Sequence, residues 1–110
     1  VDQQVTRAIL KLEAGEDAAL VTVISSRGST PRKAGAQVLF YRDGRTAGTI
    51  GGGCGEAEAR RTAWEVLRTR RPRIARIELT HELAEEDGMV CGGVMEVFVE
   101  TVSGLERVKD

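Results

Sequence analysis

Cysteine, histidine and net charge are all scarce in these 110 residues. Two cysteines, Cys54 and Cys91, are too few for a disulfide-stapled scaffold and too few alone for a structural zinc site, so both read as free thiols. The lone histidine, His81, stands beside Glu82, Glu85, Glu86 and Asp87 and reads as a surface or capping residue. No Ser-His-Asp spacing accompanies it, which disfavours a hydrolase. The 16 Lys and Arg against 17 Asp and Glu leave a net charge of -1, unlike the basic face that a nucleic-acid backbone requires. No apolar run approaches the ~20 residues of a membrane helix, and no signal-peptide pattern opens the chain, so a cytoplasmic location without nucleic acid or membrane is expected.

What is present suits one soluble domain over residues 1–110: 41% of positions are hydrophobic and 30% charged, with no repeat or linker. Val5, Ile9 and Leu12 fall on one helical stripe, with Gly15 as a stop. Residues 18–25 are apolar and β-branched, the pattern of a central strand covered on both faces. A polar loop follows over residues 26–35. Strands are predicted over 36–41 and 45–50, joined by the hairpin signal Asp43-Gly44. Helical spacing then runs from Glu56 to about Arg70, where Pro72 forbids continuation. Further strands are predicted over 74–79 and 94–102, with a short acidic helix over 80–87 between them. The expected fold is α/β (α+β), a single mixed-direction sheet of about five strands packed with two main helices. Within residues 60–76, Arg60, Arg61, Arg68, Arg70, Arg71, Arg73 and Arg76 face only Glu65. That run reads as a solvated helix face, with a docking surface for an acidic partner as the alternative.

Three segments carry chemistry. Seven of the 13 glycines lie in residues 51–55 and 88–93, around the two thiols. Gly51, Gly52, Gly53 and Gly55 lead from a strand into a helix, which aims backbone N–H groups and the positive end of the helix dipole at one place. Cys54 at that helix start would be partly thiolate at neutral pH. A tight turn around a small buried thiol is the plainer alternative. The spacing does not meet the G-x-G-x-x-G dinucleotide fingerprint. Arg27, Ser29, Thr30, Arg32 and Lys33 gather three cations and two hydroxyls, a set that suits phosphate or another oxyanion. Glu56 and Glu96 follow the two cysteines and are candidates to accept a proton or orient a ligand, although solvent exposure or a charge at a helix start also explains them.

Taken in order, residues 19–32 (ALVTVISSRGSTPR), 48–56 (GTIGGGCGE) and 88–93 (GMVCGG) closely resemble the N-terminal domain of the XdhC/CoxI family, accessory proteins of xanthine dehydrogenase and related molybdenum hydroxylases. The resemblance extends from about residue 10 to residue 100. It implies a protein that binds molybdenum cofactor (molybdopterin), assists its sulfuration and delivers it to an apo-hydroxylase. It makes Cys54 the leading thiol, a candidate contact to molybdenum or to a transferable sulfur, and Cys91 the second. By the same resemblance Arg27, Ser29, Thr30 and Arg32 become ligand-loop candidates, Gly51, Gly52, Gly53 and Gly55 amide donors, and Glu56 part of the same site. Implied partners are the molybdenum hydroxylase apo-enzyme, a cysteine desulfurase and a separate polypeptide supplying the Rossmann-like domain that commonly follows in the family. Self-association is left open. With no iron-sulfur ligand set or flavin motif, hydroxylase turnover is not expected of this chain. Two alternatives stand beside the accessory role. One is a thiol redox or sulfur-transfer protein, which needs the Cys54 and Cys91 Cα atoms within ~7 Å. The other is a docking module for a hydroxylase or for the separate Rossmann-domain partner.

Overall fold

The computed structural model describes residues 2–28, 33–51, 53–79 and 93–105. Seven elements follow in chain order: α1 (Gln3–Leu10), β1 (Asp17–Arg27), β2 (Gln37–Tyr41), β3 (Thr46–Gly48), α2 (Gly53–Thr69), β4 (Arg73–Glu78) and β5 (Val94–Ser103). The strands form one sheet in the order β3-β2-β1-β5-β4, so the residues expected to form a central strand do so. The acidic segment predicted as a short helix lies outside the described residues.

The expectation of five strands and two helices holds, but all four ladders run antiparallel instead of in mixed directions. Neighbouring parallel strands need a crossover between them. Among the described residues the one long crossover, α2, joins β3 at one edge of the sheet to β4 at the other. β5 then turns back from β4 and enters between β4 and β1, antiparallel to both. No helix is long and apolar enough to cross a membrane among the described residues.

α2 buries Ala59, Ala63, Val66 and Leu67 against Ala19, Val21 and Val23 of β1 and Met95, Val97 and Val99 of β5. On the opposite face α1 places Val5 with Ala18, Leu20 and Leu39. Coverage on both faces therefore holds for the first half of β1 only. α1 is eight residues long and stops short of the second half, where Ile24 is 46% exposed.

The start of α1 is fixed by Asp2, whose Oδ1 accepts the Val5 N–H at 3.2 Å. Asp2 N–H donates in turn to Gln37 Oε1, and Gln37 Nε2 donates to Thr22 Oγ1, a polar line from the helix across β2 to β1. Gly48 lets α1 approach so closely. Its φ is +78°, and a Cβ there would stand 2.5 Å from Val5 Cγ2 and 2.6 Å from the Gln37 carbonyl oxygen. The same turn ends β3 at Gly48, two residues short of the predicted strand, and Ile50 drops into the α2-side core.

Candidate functional site

Strand directions decide which loops meet. β1 ends at Arg27, β3 ends at Gly48, β4 ends at Glu78, and both α2 and β5 begin at this same end of the sheet. The register makes this concrete: Arg27 and Glu78 are both Cα partners of Val94, one on each side of it. The segments after Arg27, between Gly48 and Gly53, and between Leu79 and Gly93 therefore all leave the sheet at one end. The Leu79 N–H closes the base of the last with a 2.9 Å bond to the Gly93 carbonyl.

The turn into α2 is held by Thr49. Its Oγ1 accepts the Gly51 N–H at 3.0 Å and donates to Glu56 Oε2 at 2.8 Å. Glu56, a sequence candidate, is thus oriented from within the protein and sits in the acidic first turn of α2. The Gly51 amide, another candidate, is engaged inside the loop; with φ at 120° this position favours glycine. Gly55 has a packing reason for lacking a side chain, since a Cβ would stand 2.9 Å from Leu79 Cδ2 and 3.5 Å from Met95 Cε. Gly53 and Cys54 are the first two residues of α2, where backbone N–H groups have no carbonyl partner inside the helix.

Arg27 is the last residue of β1 and is exposed; the loop begins two residues later than predicted. Ser25 Oγ donates to Glu96 Oε1 at 3.1 Å across the β1–β5 ladder, so Glu96 is tied to the sheet. Gly52, Ser29, Thr30, Arg32, Cys91 and the Cys54 side chain lie outside the described residues. Beside the site a cleft of about 570 Å³ opens between the start of α1 and the end of β3, lined by Gln4, Ala34, Gly35 and Thr49 among others. Thr49 and Ser25 were not singled out in the sequence. A hydroxyl two residues before Gly51 and seven before Glu56 was the available sign for Thr49.

The opposite end of the sheet carries a different cluster. Asp17, 7% exposed, receives the Arg42 guanidinium through two hydrogen bonds, one of them 3.1 Å, and pairs with Arg70 at 2.6 Å. The bond from Arg42 holds the Asp17 carboxyl below its ordinary value; burial opposes this, and the charges of Arg42 and Arg70 add to the lowering. The basic run is also better neutralised than the sequence suggests: Arg61 pairs with Glu58, Arg73 with Glu65 and Arg76 with Glu78. Arg68 and Arg71 make no ion pair among the described residues, and both are exposed.

The sequence pattern of the XdhC and CoxI family matches residues 11–78. The uncharacterized protein YqeB of Escherichia coli is 40% identical over 79% of this chain and 16% of its own length. The molybdenum cofactor insertion chaperone PaoD of the same organism is 41% identical over 60% of this chain and 21% of its own. Among solved structures, a crystal structure of a xanthine dehydrogenase from Bacillus halodurans superposes with a TM-score of 0.69 at 27% identity, covering 88% of this chain and 29% of that one. The chain thus spans less than a third of the length of each of these three proteins.

Proposed function

The chain belongs to the XdhC and CoxI family, and on that footing we propose that it is the cargo-holding part of an accessory protein for a xanthine dehydrogenase type molybdenum hydroxylase. The cargo is molybdenum cofactor, bound transiently while it is sulfurated or passed to the apo-enzyme. The observation that carries this proposal is the convergence of the three segments at one end of the sheet. The likeness to a protein named as a molybdenum cofactor insertion chaperone supports the choice of cargo.

In this role the first-turn amides of α2 and the cations Arg27 and Arg32 meet the phosphate and other anionic parts of the cofactor. Ser29 and Thr30 add hydroxyl donors. Cys54, with Cys91 as the second thiol, offers a soft sulfur ligand to molybdenum or to a transferable sulfur. Thr49 and Glu56 shape the turn that presents Cys54. Residues 1–110 act as the family's N-terminal unit beside a Rossmann-like domain, and the apo-hydroxylase and a cysteine desulfurase are the protein partners.

Anaerobic titration with molybdenum cofactor tests this, with retained molybdenum and retained pterin measured separately. Wild type is expected to keep both, Cys54→Ala to lose most of the molybdenum, and Cys91→Ala to lose part of it. Wild type that retains neither, or cysteine variants that retain as much as wild type, would overturn the assignment.

A further inference from the structure

The cleft between α1 and the end of β3 is lined by residues from three places in the chain. Asp2 and Gln4 come from the start of α1, Ala34, Gly35 and Ala36 lead into β2, and Gly48 and Thr49 mark where the chain leaves β3. Its volume of about 570 Å³ falls in the range of small-molecule clefts. Four of these seven residues are glycine or alanine, so the walls are largely backbone and no bulky side chain fills the space.

The polar groups in the cleft form two sets. Asp2 uses one carboxylate oxygen, Oδ1, to cap α1 through the Val5 N–H. The other, Oδ2, accepts no hydrogen bond from the described residues and stands 3.6 Å from where a Cβ on Gly48 would be. Asp2 and Gly48 both line the cleft, so Oδ2 is a charged acceptor with spare capacity at its wall. Gln4 supplies the second set. Its side chain is exposed and makes no hydrogen bond among the described residues, and the Gln3 and Gln4 N–H groups have no carbonyl partner inside the helix. A charged acceptor and free donors thus stand within one turn of helix. That pairing is complementary to the edge of a 2-amino-4-oxopyrimidine ring, which offers N–H donors at its amino group and adjacent ring nitrogen and an acceptor at its oxo oxygen.

We propose that this cleft holds the pterin ring of the cofactor, with Asp2 Oδ2 accepting from the 2-amino group and the Gln4 carboxamide donating to the 4-oxo oxygen; this rests on the cofactor role proposed above and names the residues that read the heterocycle. The phosphate and molybdenum end then lies toward α2, because Thr49 belongs both to the cleft and to the turn that leads into that helix.

Fluorescence titration of 6-hydroxymethylpterin with the protein tests this, since that molecule carries the ring without phosphate, dithiolene or molybdenum. The matching lumazine, in which an oxo group replaces the 2-amino group, sets an acceptor against the carboxylate. Wild type is expected to bind the pterin about tenfold more tightly than the lumazine. Asp2→Asn keeps an oxygen for the Val5 N–H, and asparagine caps helices as well as aspartate does, so its Tm is expected to stay near wild type. The variant is expected to bind the pterin about tenfold more weakly and to lose the preference over lumazine. Equal weakening of both ligands would make Asp2 a helix cap only and overturn the proposal. Guanosine carries the same edge on a purine and is expected to bind more weakly than the pterin; equal or tighter binding would assign the cleft to a guanine nucleotide instead. Wild type that retains whole cofactor but binds no 6-hydroxymethylpterin at up to about 1 mM protein would overturn the ring assignment and leave the cofactor role standing. Wild type that binds the pterin with these preferences but retains no molybdenum would uphold the cleft and overturn the cofactor role.

Discussion

Thr49 donates its hydroxyl hydrogen to Glu56 Oε2 at 2.8 Å and so ties the residue that leaves β3 to the first turn of α2. The same oxygen accepts the Gly51 N–H, which makes one small side chain the organiser of the glycine turn. Thr49→Val keeps the shape and removes both bonds. It is expected to lower stability by about 1 kcal/mol, seen as a fall of several degrees in Tm, and to reduce cofactor retention. Thr49→Ser keeps the hydroxyl and is expected to stay near wild type in both measurements. Equal loss in the two variants would show that the methyl packing, not the hydroxyl, matters.

Gly48 and Gly44 both have positive φ, at +78° and +96°, yet they should respond differently to alanine. A Cβ at Gly44 meets nothing within 4 Å, so Gly44→Ala carries only the backbone penalty of about 1 kcal/mol. At Gly48 the new atom meets a backbone oxygen of β2 and Val5 of α1, and α1 must move away. Gly48→Ala is expected to cost about 2–4 kcal/mol, read by urea unfolding. Equal midpoints for the two variants would show that α1 fits loosely onto β3.

Much of this architecture was legible because it is written in local patterns. The apolar, β-branched run of residues 18–25, the Asp43-Gly44 turn and the Ala59, Ala63, Leu67 stripe each specify an element through near neighbours. Strand direction was not legible in the same way. It depends on α2 carrying the chain across the whole sheet and on β5 entering between β1 and β4, a pairing between distant parts of the chain. The candidate site was legible as three segments, and that the residues flanking them share one end of the sheet follows from that antiparallel order. Asp17 passed unnoticed in the sequence because its partners, Arg42 and Arg70, lie 25 and 53 positions away.

Asp17 gives the fold an acid-sensitive contact. Its carboxyl titrates below the ordinary value of 3.8 in the folded protein, chiefly through the Arg42 hydrogen bond. A lowered folded value means that the ionised carboxylate favours the folded state. This contribution is complete above the unfolded value and is lost as pH falls through the lower folded one. Asp17→Asn is therefore expected to cost about 2 kcal/mol at neutral pH, where the charged bonds to Arg42 and Arg70 are lost. The gap between variant and wild type should close below about pH 4. A gap that stays constant from pH 7 to pH 3 in thermal unfolding would show that the charge contributes nothing.

Gly55 separates a packing role from a ligand role within the same glycine run. In a helix, exchanging glycine for alanine ordinarily gains about 1 kcal/mol. Here the added Cβ would stand 2.9 Å from Leu79 Cδ2, and Leu79 is only 4% exposed at the end of β4, so its side chain must shift within a packed core. Overpacking of this kind costs about 1–3 kcal/mol, which outweighs the helical gain. Gly55→Ala is accordingly expected to be less stable than wild type by up to about 2 kcal/mol, and Leu79→Val in the same chain should recover part of that loss by making room. A Gly55→Ala protein that is more stable than wild type but retains less cofactor would instead show that the glycine serves close approach of the ligand and not the contact between α2 and the sheet.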